Sequence, residues 1–463
     1  MAWENIGRKK QESPPKEVPK IGLPEYGLTD LGNAYRFKDQ WGSDVRWCDS
    51  WGKFLVFDTV RWALDQEKRI ELLGIETVKK IYGEAAQTRD KDTRKAIADH
   101  AKRSESDSKR KAMLSSVKCL LPILPDQLDR DPWLLNVQNG TVDLRTGELR
   151  PHTREDFITK LAPVHFDKKA TCPLWWSLLS SVLPEESIKF IQKAAGYSAT
   201  GLTTEQVFLL LFGSGDNGKT TVLEALGEIL GDYAKETDPE TFMVKKNSGI
   251  PNDLAALRGA RFVKSVETSG GRRMSEARIK QMTGRDTLTA RFLRAEWFEF
   301  KPEFKLWLAT NHKPVIKDST HSMWRRVRLI PFEVQIPKEQ QDKKLPEKLR
   351  AEYSGILNWI IEGALLWQRD GLEPPETIRN ANQEYRAEMD ELGDFLVERC
   401  ILTPGASGTA SELYKAYTEW AEEAGEKKAL SQRAFGMALG ERGFHSNRGP
   451  QGKRYWTGIG LKR

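Results

Sequence analysis

The sequence predicts an α/β fold with a mostly parallel sheet, and three observations carry that expectation. An apolar run, Val207 to Phe212, stops at a glycine-rich loop, and an amphipathic helix follows from Thr221 to Leu230. Further apolar runs at Phe262–Val266, "FKLWLAT" (304–310) and "MWRRVRLIPF" (323–332) alternate with helical patterns. The first run is continuous rather than alternating, as in a strand buried on both faces. Strands of that kind separated by helices build a parallel sheet whose ligands sit beyond the strands' carboxyl ends.

The loop itself has a chemistry. Gly213, Gly218, Lys219 and Thr220 fit G-x-x-x-x-G-K-[ST], with Ser214, Gly215, Asp216 and Asn217 between them and Thr221 next. Glycines let backbone N–H groups converge on a phosphate, and the helix N-terminus adds its dipole. Lys219 is placed to reach the β and γ phosphates, and the Thr220 hydroxyl to hold Mg²⁺. ATP and Mg²⁺ are therefore the expected ligands of residues 213–221.

Hydrolysis needs more than a cradle. A carboxylate must position water or metal, a polar group must sense the γ-phosphate, and a cation must meet the transition-state charge. Glu267 and Asn311 lie just past the ends of two expected strands and are candidates for the first two roles, with Thr220 and Glu267 as metal ligands. Arg325 and Arg326 are candidates for an arginine finger reaching a neighbouring subunit's nucleotide.

Composition bounds the rest. Charged residues make up 30% of the chain and the mean hydropathy is -0.58, as expected for a soluble protein. No apolar run approaches a membrane span, and the first residues lack a signal-peptide core, so no membrane partner is expected. Cys48, Cys119, Cys172 and Cys400 are far apart, which argues against a zinc ribbon or a disulfide framework and for a reducing cytoplasm. A net charge of +7 points to a polyanionic partner. Basic residues interleaved with Phe444, His445, Tyr455 and Trp456 in the last stretch make Arg448, Lys453 and Arg454 candidate DNA contacts. "TLTARFLRAEWFEF" (287–300) reads as two strands around a tight turn at 294–296. Leu288, Ala290 and Phe292 are expected to anchor one face, leaving Arg291 facing out and Arg294 at the tip to hold a DNA phosphate.

Along the chain, residues 1–25 are a basic proline-containing tail expected to be disordered. An N-terminal α+β region (26–165) includes a tryptophan-rich hairpin stretch, a helical stretch (65–125) and a β-meander (134–152). A helical collar (166–200), the ATPase core (201–340), a helical lid (341–400) and a C-terminal unit (401–463) follow. The last reads helix, helix, hairpin, with Ser431 as a helix cap, a winged helix arrangement.

The set Gly213–Thr220, Glu267, "KQMTGRDTLTARFL", "LWLATNHKP" and "WRRVRLIPF" resembles superfamily 3 helicases. The likeness is to the ATPase half of phage and plasmid primase-helicases, related to the poxvirus nucleoside triphosphatase. "LTDLGNAYRF" and "NGTVDLRTGEL" resemble the domain that precedes that ATPase. The resemblance implies an AAA+-like core and a homo-hexameric ring that hydrolyses ATP between subunits. It also implies 3′ to 5′ movement on single-stranded DNA and unwinding of forks in the replication of a phage or mobile element, in the cytoplasm of a bacterial host. "FVKSVET" offers one acid where many relatives have two, so Glu267 is expected to serve both metal and water, with Ser265 or Thr268 assisting. The fused primase domain of longer relatives has no counterpart here, so a separate primase or replication initiator is an expected partner. The rival function is an origin-binding initiator that uses ATP as an assembly switch.

Overall fold

The computed structural model describes residues 26–244, 252–267, 272–293, 296–317, 320–423, 429–448 and 454–462. The chain divides into two compact units, residues 1–128 and 129–463. In the first, an antiparallel sheet of Val45–Cys48, Lys53–Phe57 and Trp62–Leu64 accompanies four helices: Asp30–Trp41, Arg69–Gln87, Lys91–Ser104 and Asp107–Leu120. Phe37, Val45, Val56, Ile70, Met113 and Val117 form its main core. Arg36 is buried there and pairs with Glu84 at 2.8 Å, so its charge is compensated.

The second unit begins with the meander Leu134–Val137, Gly140–Asp143 and Glu148–Arg150. Helices α1 (Pro173–Val182) and α2 (Glu185–Ala199) lead into β1 (Phe208–Phe212) and α3 (Lys219–Leu230). Strands β2 (Ala234–Glu236), β3 (Phe262–Glu267), β4 (Lys305–Thr310) and β5 (Val327–Pro331) complete a sheet of order β5-β1-β4-β3-β2, parallel throughout. The fold is thus mixed α/β around a five-stranded parallel sheet.

The β1 and β4 runs are continuous because alternate residues face two different cores. Leu209, Leu211, Trp307, Ala309, Phe262 and Ile330 meet Val222 and Leu226 of α3 on one face. Phe208, Leu210, Leu306, Leu308, Val263 and Leu329 meet the other, with Ile279 and Met282 of α4 (Glu276–Thr283). The edge strand β2 reads Ala-Lys-Glu, too polar and short to show in the apolar pattern. "MWRRVRLIPF" is only partly a strand: His321–Trp324 is a short helix, and β5 starts at Val327.

Helix α5 (Tyr353–Asp370) packs along α2 at a glycine contact. A Cβ on Gly363 would overlap the Gln192 carbonyl, and one on Gly196 would overlap the Gly363–Ala364 backbone. Helix α6 (Glu376–Glu388) lies against β5, where Asn382 Oδ1 accepts from Leu329 N at 2.8 Å.

The chain ends in α7 (Glu391–Arg399), β6 (Ser407–Thr409), α8 (Ala410–Glu423), α9 (Gln432–Glu441), β7 (His445–Arg448) and β8 (Arg454–Thr457). Its sheet has order β6-β8-β7. Phe395, Tyr417, Trp420 and Phe435 pack together in its core. Ser431 caps α9, its hydroxyl accepting from Ala434 N.

Candidate nucleotide and nucleic-acid sites

The register of the sheet sets the site. Thr310 pairs with Phe212 on one side and with Glu267 on the other, so β1, β4 and β3 end flush at one edge. From that edge emerge the glycine loop and the exposed Asn311. Glu267 ends β3 there; its side chain, like Thr268, lies outside the described residues. Ser265 does not assist it: fully buried, it donates to Thr237 O at 2.8 Å.

The loop is held open from below. Lys219 is 4% exposed and donates to Gly213 O at 2.8 Å and Asn217 Oδ1 at 2.7 Å. Asn217 in turn donates through Nδ2 to Phe332 O at 2.9 Å, just past β5. Any side chain at position 213 would overlap that bridge, since a Cβ would strike both Asn217 Nδ2 and Phe332 O. Gly215 (φ 106°), Asp216 (φ 49°) and Gly218 (φ 79°) turn the backbone through left-handed conformations. Asp216 O accepts from Ile336 N at 2.8 Å, a second tie to the segment after β5. Among the described residues no carboxylate bonds Lys219, and burial pushes its pKa down to about 8. Ser214 and Thr220 are exposed and Thr221 half-buried, so the Thr220 hydroxyl is open to a ligand. Among the described residues no cluster of His, Cys, Asp and Glu could hold a metal by itself.

The two arginines stand at the other end. Val327 pairs with Phe208 and Pro331 with Phe212, so Arg325 and Arg326 precede β5 at the amino edge of the sheet. Four residue steps of strand, roughly 13 Å, separate them from the loop. They also differ from each other. Arg326 is buried, donates through Nε to Thr283 Oγ1 at 3.1 Å and also bonds Ser322 O. Burial first, and then its neighbour Arg325, lower its pKa. Arg325 is exposed and donates to a side-chain amide, Gln206 Oε1, at 2.9 Å.

The hairpin forms from Leu288–Ala290 and Phe298–Phe300. Leu288 and Ala290 are buried, but the strand stops there, and Phe292 is 45% exposed rather than an anchor. Arg291 is half-buried, its guanidinium 4.7 Å from the Trp297 ring centroid. Arg294 lies outside the described residues, as does Lys453. Arg448 and Arg454 are exposed and directly opposite across β7 and β8. Like charges so placed cost stability unless an anion sits between them.

Sequence reading missed the ties that position the strand ends. Tyr385 of α6 donates to Pro314 O, and Lys313 pairs with Glu388 at 2.6 Å, gripping the segment after Asn311. These partners are some seventy residues apart and carry no motif.

With this geometry in view, two family matches fall on the chain. Residues 34–184 match the family described as D5 N terminal like. Residues 211–326 match a family of unknown function, DUF5906, and so span the loop, Glu267, Asn311 and both arginines. A protein of Acanthamoeba polyphaga mimivirus named "Putative helicase L207/L206" is 28% identical over 319 residues, covering 63% of this chain and 33% of that protein. The African swine fever virus (isolate Tick/Malawi/Lil 20-1/1983) protein named "Putative primase C962R" is 26% identical over 327 residues, 63% of this chain and 34% of its own length. These matches support a likeness to the phage and viral primase-helicases. The chain's aligned part corresponds to about a third of each of those two relatives. The fold of a solved structure, "The A form apo structure of NrS-1 C terminal region-CTR", is also similar. It has a TM-score of 0.50 at 10% identity and covers 93% of this chain and 100% of that one. No helix among the described residues is long and apolar enough to cross a membrane.

Proposed function

We propose that this chain is an ATP-dependent replicative DNA helicase of the superfamily 3 type, with an AAA+-like core, working as a homo-hexameric ring in a phage or mobile-element replication system. One observation carries the reading: the glycine loop and the exposed Arg325 occupy opposite edges of one rigid parallel sheet. Arg325 cannot reach its own loop, but in a head-to-tail ring it faces the loop of the next subunit.

In this mechanism the loop N–H groups and Lys219 hold the β and γ phosphates, and Lys219 exchanges its Asn217 contact for phosphate oxygen. Thr220, with Glu267, would hold a Mg²⁺ ion, which would supply neutralisation of the developing charge. Glu267 orients the attacking water and Asn311 contacts the γ-phosphate. The neighbouring subunit's Arg325 stabilises the transition state as the bond to the β–γ bridging oxygen breaks, giving ADP and phosphate. Arg326 holds the short helix before β5 rather than touching nucleotide. The grip of α6 on the segment after Asn311 carries the change towards the C-terminal elements. Those elements follow the order helix, strand, helix, helix, strand, strand of a winged helix, with Arg448, Lys453 and Arg454 offered to DNA phosphates. The hairpin presents Arg291 and Arg294 to the single strand in the pore. A separate primase or replication initiator would load the ring.

Strand displacement on forked DNA, run beside a sizing measurement, tests this. ATP-dependent unwinding by a ring is expected. Site-specific duplex binding by residues 405–463 with no unwinding would favour an initiator instead.

A further inference from the structure

Apart from the nucleotide loop, and sharing no residue with it, lies a cavity of about 680 Å³ that no motif marks. Helix α5 lines it with Trp359 and Glu362, the turn of the meander with Glu148, the segment before α1 with Phe166 and Lys168, and α1 itself with Trp176. We infer that this cavity docks a peptide segment of a separate protein, one that presents an arginine flanked by apolar residues. The inference stands apart from the nucleotide reading and gives the chain a partner site that the proposed helicase chemistry does not use.

Three features point this way. The walls are pinned. Asn358 of α5 donates through Nδ2 to Asp167 O at 2.7 Å and to Ala170 O at 2.9 Å, and Ser354 Oγ donates to His165 O at 2.7 Å. Gly355 lets that segment close on α5, since a Cβ there would overlap Thr171 O, and Gly147 (φ 74°) turns the meander against Leu365 of the same helix. A cavity with fixed walls loses little freedom when it is filled. The lining is aromatic as well. Trp176 is exposed at the rim, Phe166 is half-buried and Trp359 is buried, and a guanidinium stacks on such rings more readily than an ammonium does. The charge is the third feature. In a chain of net charge +7, the cavity holds two exposed carboxylates, Glu148 and Glu362, against one cation, Lys168. Among the described residues neither carboxylate has a cation partner; Glu362 accepts from the Gln192 amide at 3.0 Å. Their field is felt in the wall, where the Cys172 thiol is pushed up to about 11 by burial first and then by Glu352 and Glu362. A nucleic-acid phosphate would meet two carboxylates for one lysine, whereas an arginine side chain finds both rings and counter-charges.

Fluorescence anisotropy of the full chain with a labelled hexapeptide of alternating leucine and arginine tests the site, run beside the same peptide with neutral, isosteric citrulline in place of arginine. The arginine peptide is expected to bind at least tenfold more tightly than the citrulline peptide. Glu148→Gln combined with Glu362→Gln should abolish that preference and leave citrulline binding within twofold; both positions are exposed, and glutamine at 362 keeps an acceptor for Gln192. Trp176→Ala, also at an exposed position, should weaken both peptides at least threefold. Equal affinity of the wild type for the two peptides, or binding of neither, would overturn the docking site. So would unchanged affinities in both folded variants. Labelled oligothymidylate is the counter-probe: its affinity should be the same for wild-type and Trp176→Ala protein, and a loss in the variant would replace the peptide with nucleic acid. None of these outcomes touches the nucleotide reading, because no lining residue lies within 213–221.

Discussion

At the residue scale, Lys219 carries the clearest consequences. Lys219→Ala should remove measurable hydrolysis without unfolding the chain, because Lys219, though buried, opens α3 and its ammonium bonds the loop's own Gly213 O and Asn217 Oδ1; circular dichroism beside an ATPase assay checks this. Its titration gives a second expectation. Burial lowers the pKa in the empty site to about 8, and phosphate oxygen favours the charged form, so the proton is held more tightly in the complex. Nucleotide affinity is then full below pH 8 and falls by up to about tenfold per pH unit above it, until the pKa of the complex is reached. Lys219→Arg stays charged and should show no such fall; titrations between pH 7 and 9.5 decide the point. The adjacent arginines should separate cleanly. Arg326→Ala leaves Thr283 Oγ1 and Ser322 O without their donor and should cost about 2–3 kcal/mol of stability by denaturant unfolding. Arg325→Ala should leave the unfolding midpoint unchanged, bind ATP and fail to hydrolyse it.

At the scale of elements, the sequence shows some features plainly and hides others. β1 and β4 are legible because both faces of each are apolar, which leaves a continuous run. β2 is not, since Ala234–Glu236 is a polar edge strand that pairs through its backbone. The hairpin is legible from alternation as far as Ala290, but the exposed Phe292, Leu293 and Trp297 show that alternation does not continue to the tip. At the site, contiguous spacing marks residues 213–221, whereas Phe332 meets Asn217 across 115 residues and has no local signal. The α2–α5 contact is equally silent, and it gives a testable element. Alanine at Gly363 would gain roughly 1 kcal/mol of helix propensity. It would also drive a methyl into the Gln192 carbonyl, where overpacking costs about 1–3 kcal/mol or more. Gly363→Ala should therefore destabilise, and a raised unfolding midpoint would show that the helices part freely.

At the scale of the whole molecule, the proposed ring makes the sheet a spacer between two halves of different nucleotide sites. Its carboxyl edge carries the glycine loop and its amino edge the exposed Arg325, which the ring would turn to the neighbour. This division is the central claim, since it makes the ring necessary for chemistry and not only for encircling DNA. Mixing Arg325→Ala with Lys219→Ala protein tests it most directly. Each alone should be inactive, but in mixed rings some interfaces pair an intact loop with an intact Arg325. ATPase activity is predicted to reappear on titration and to peak near equal proportions. Mixed rings seen by native mass spectrometry with no recovered hydrolysis would contradict the account.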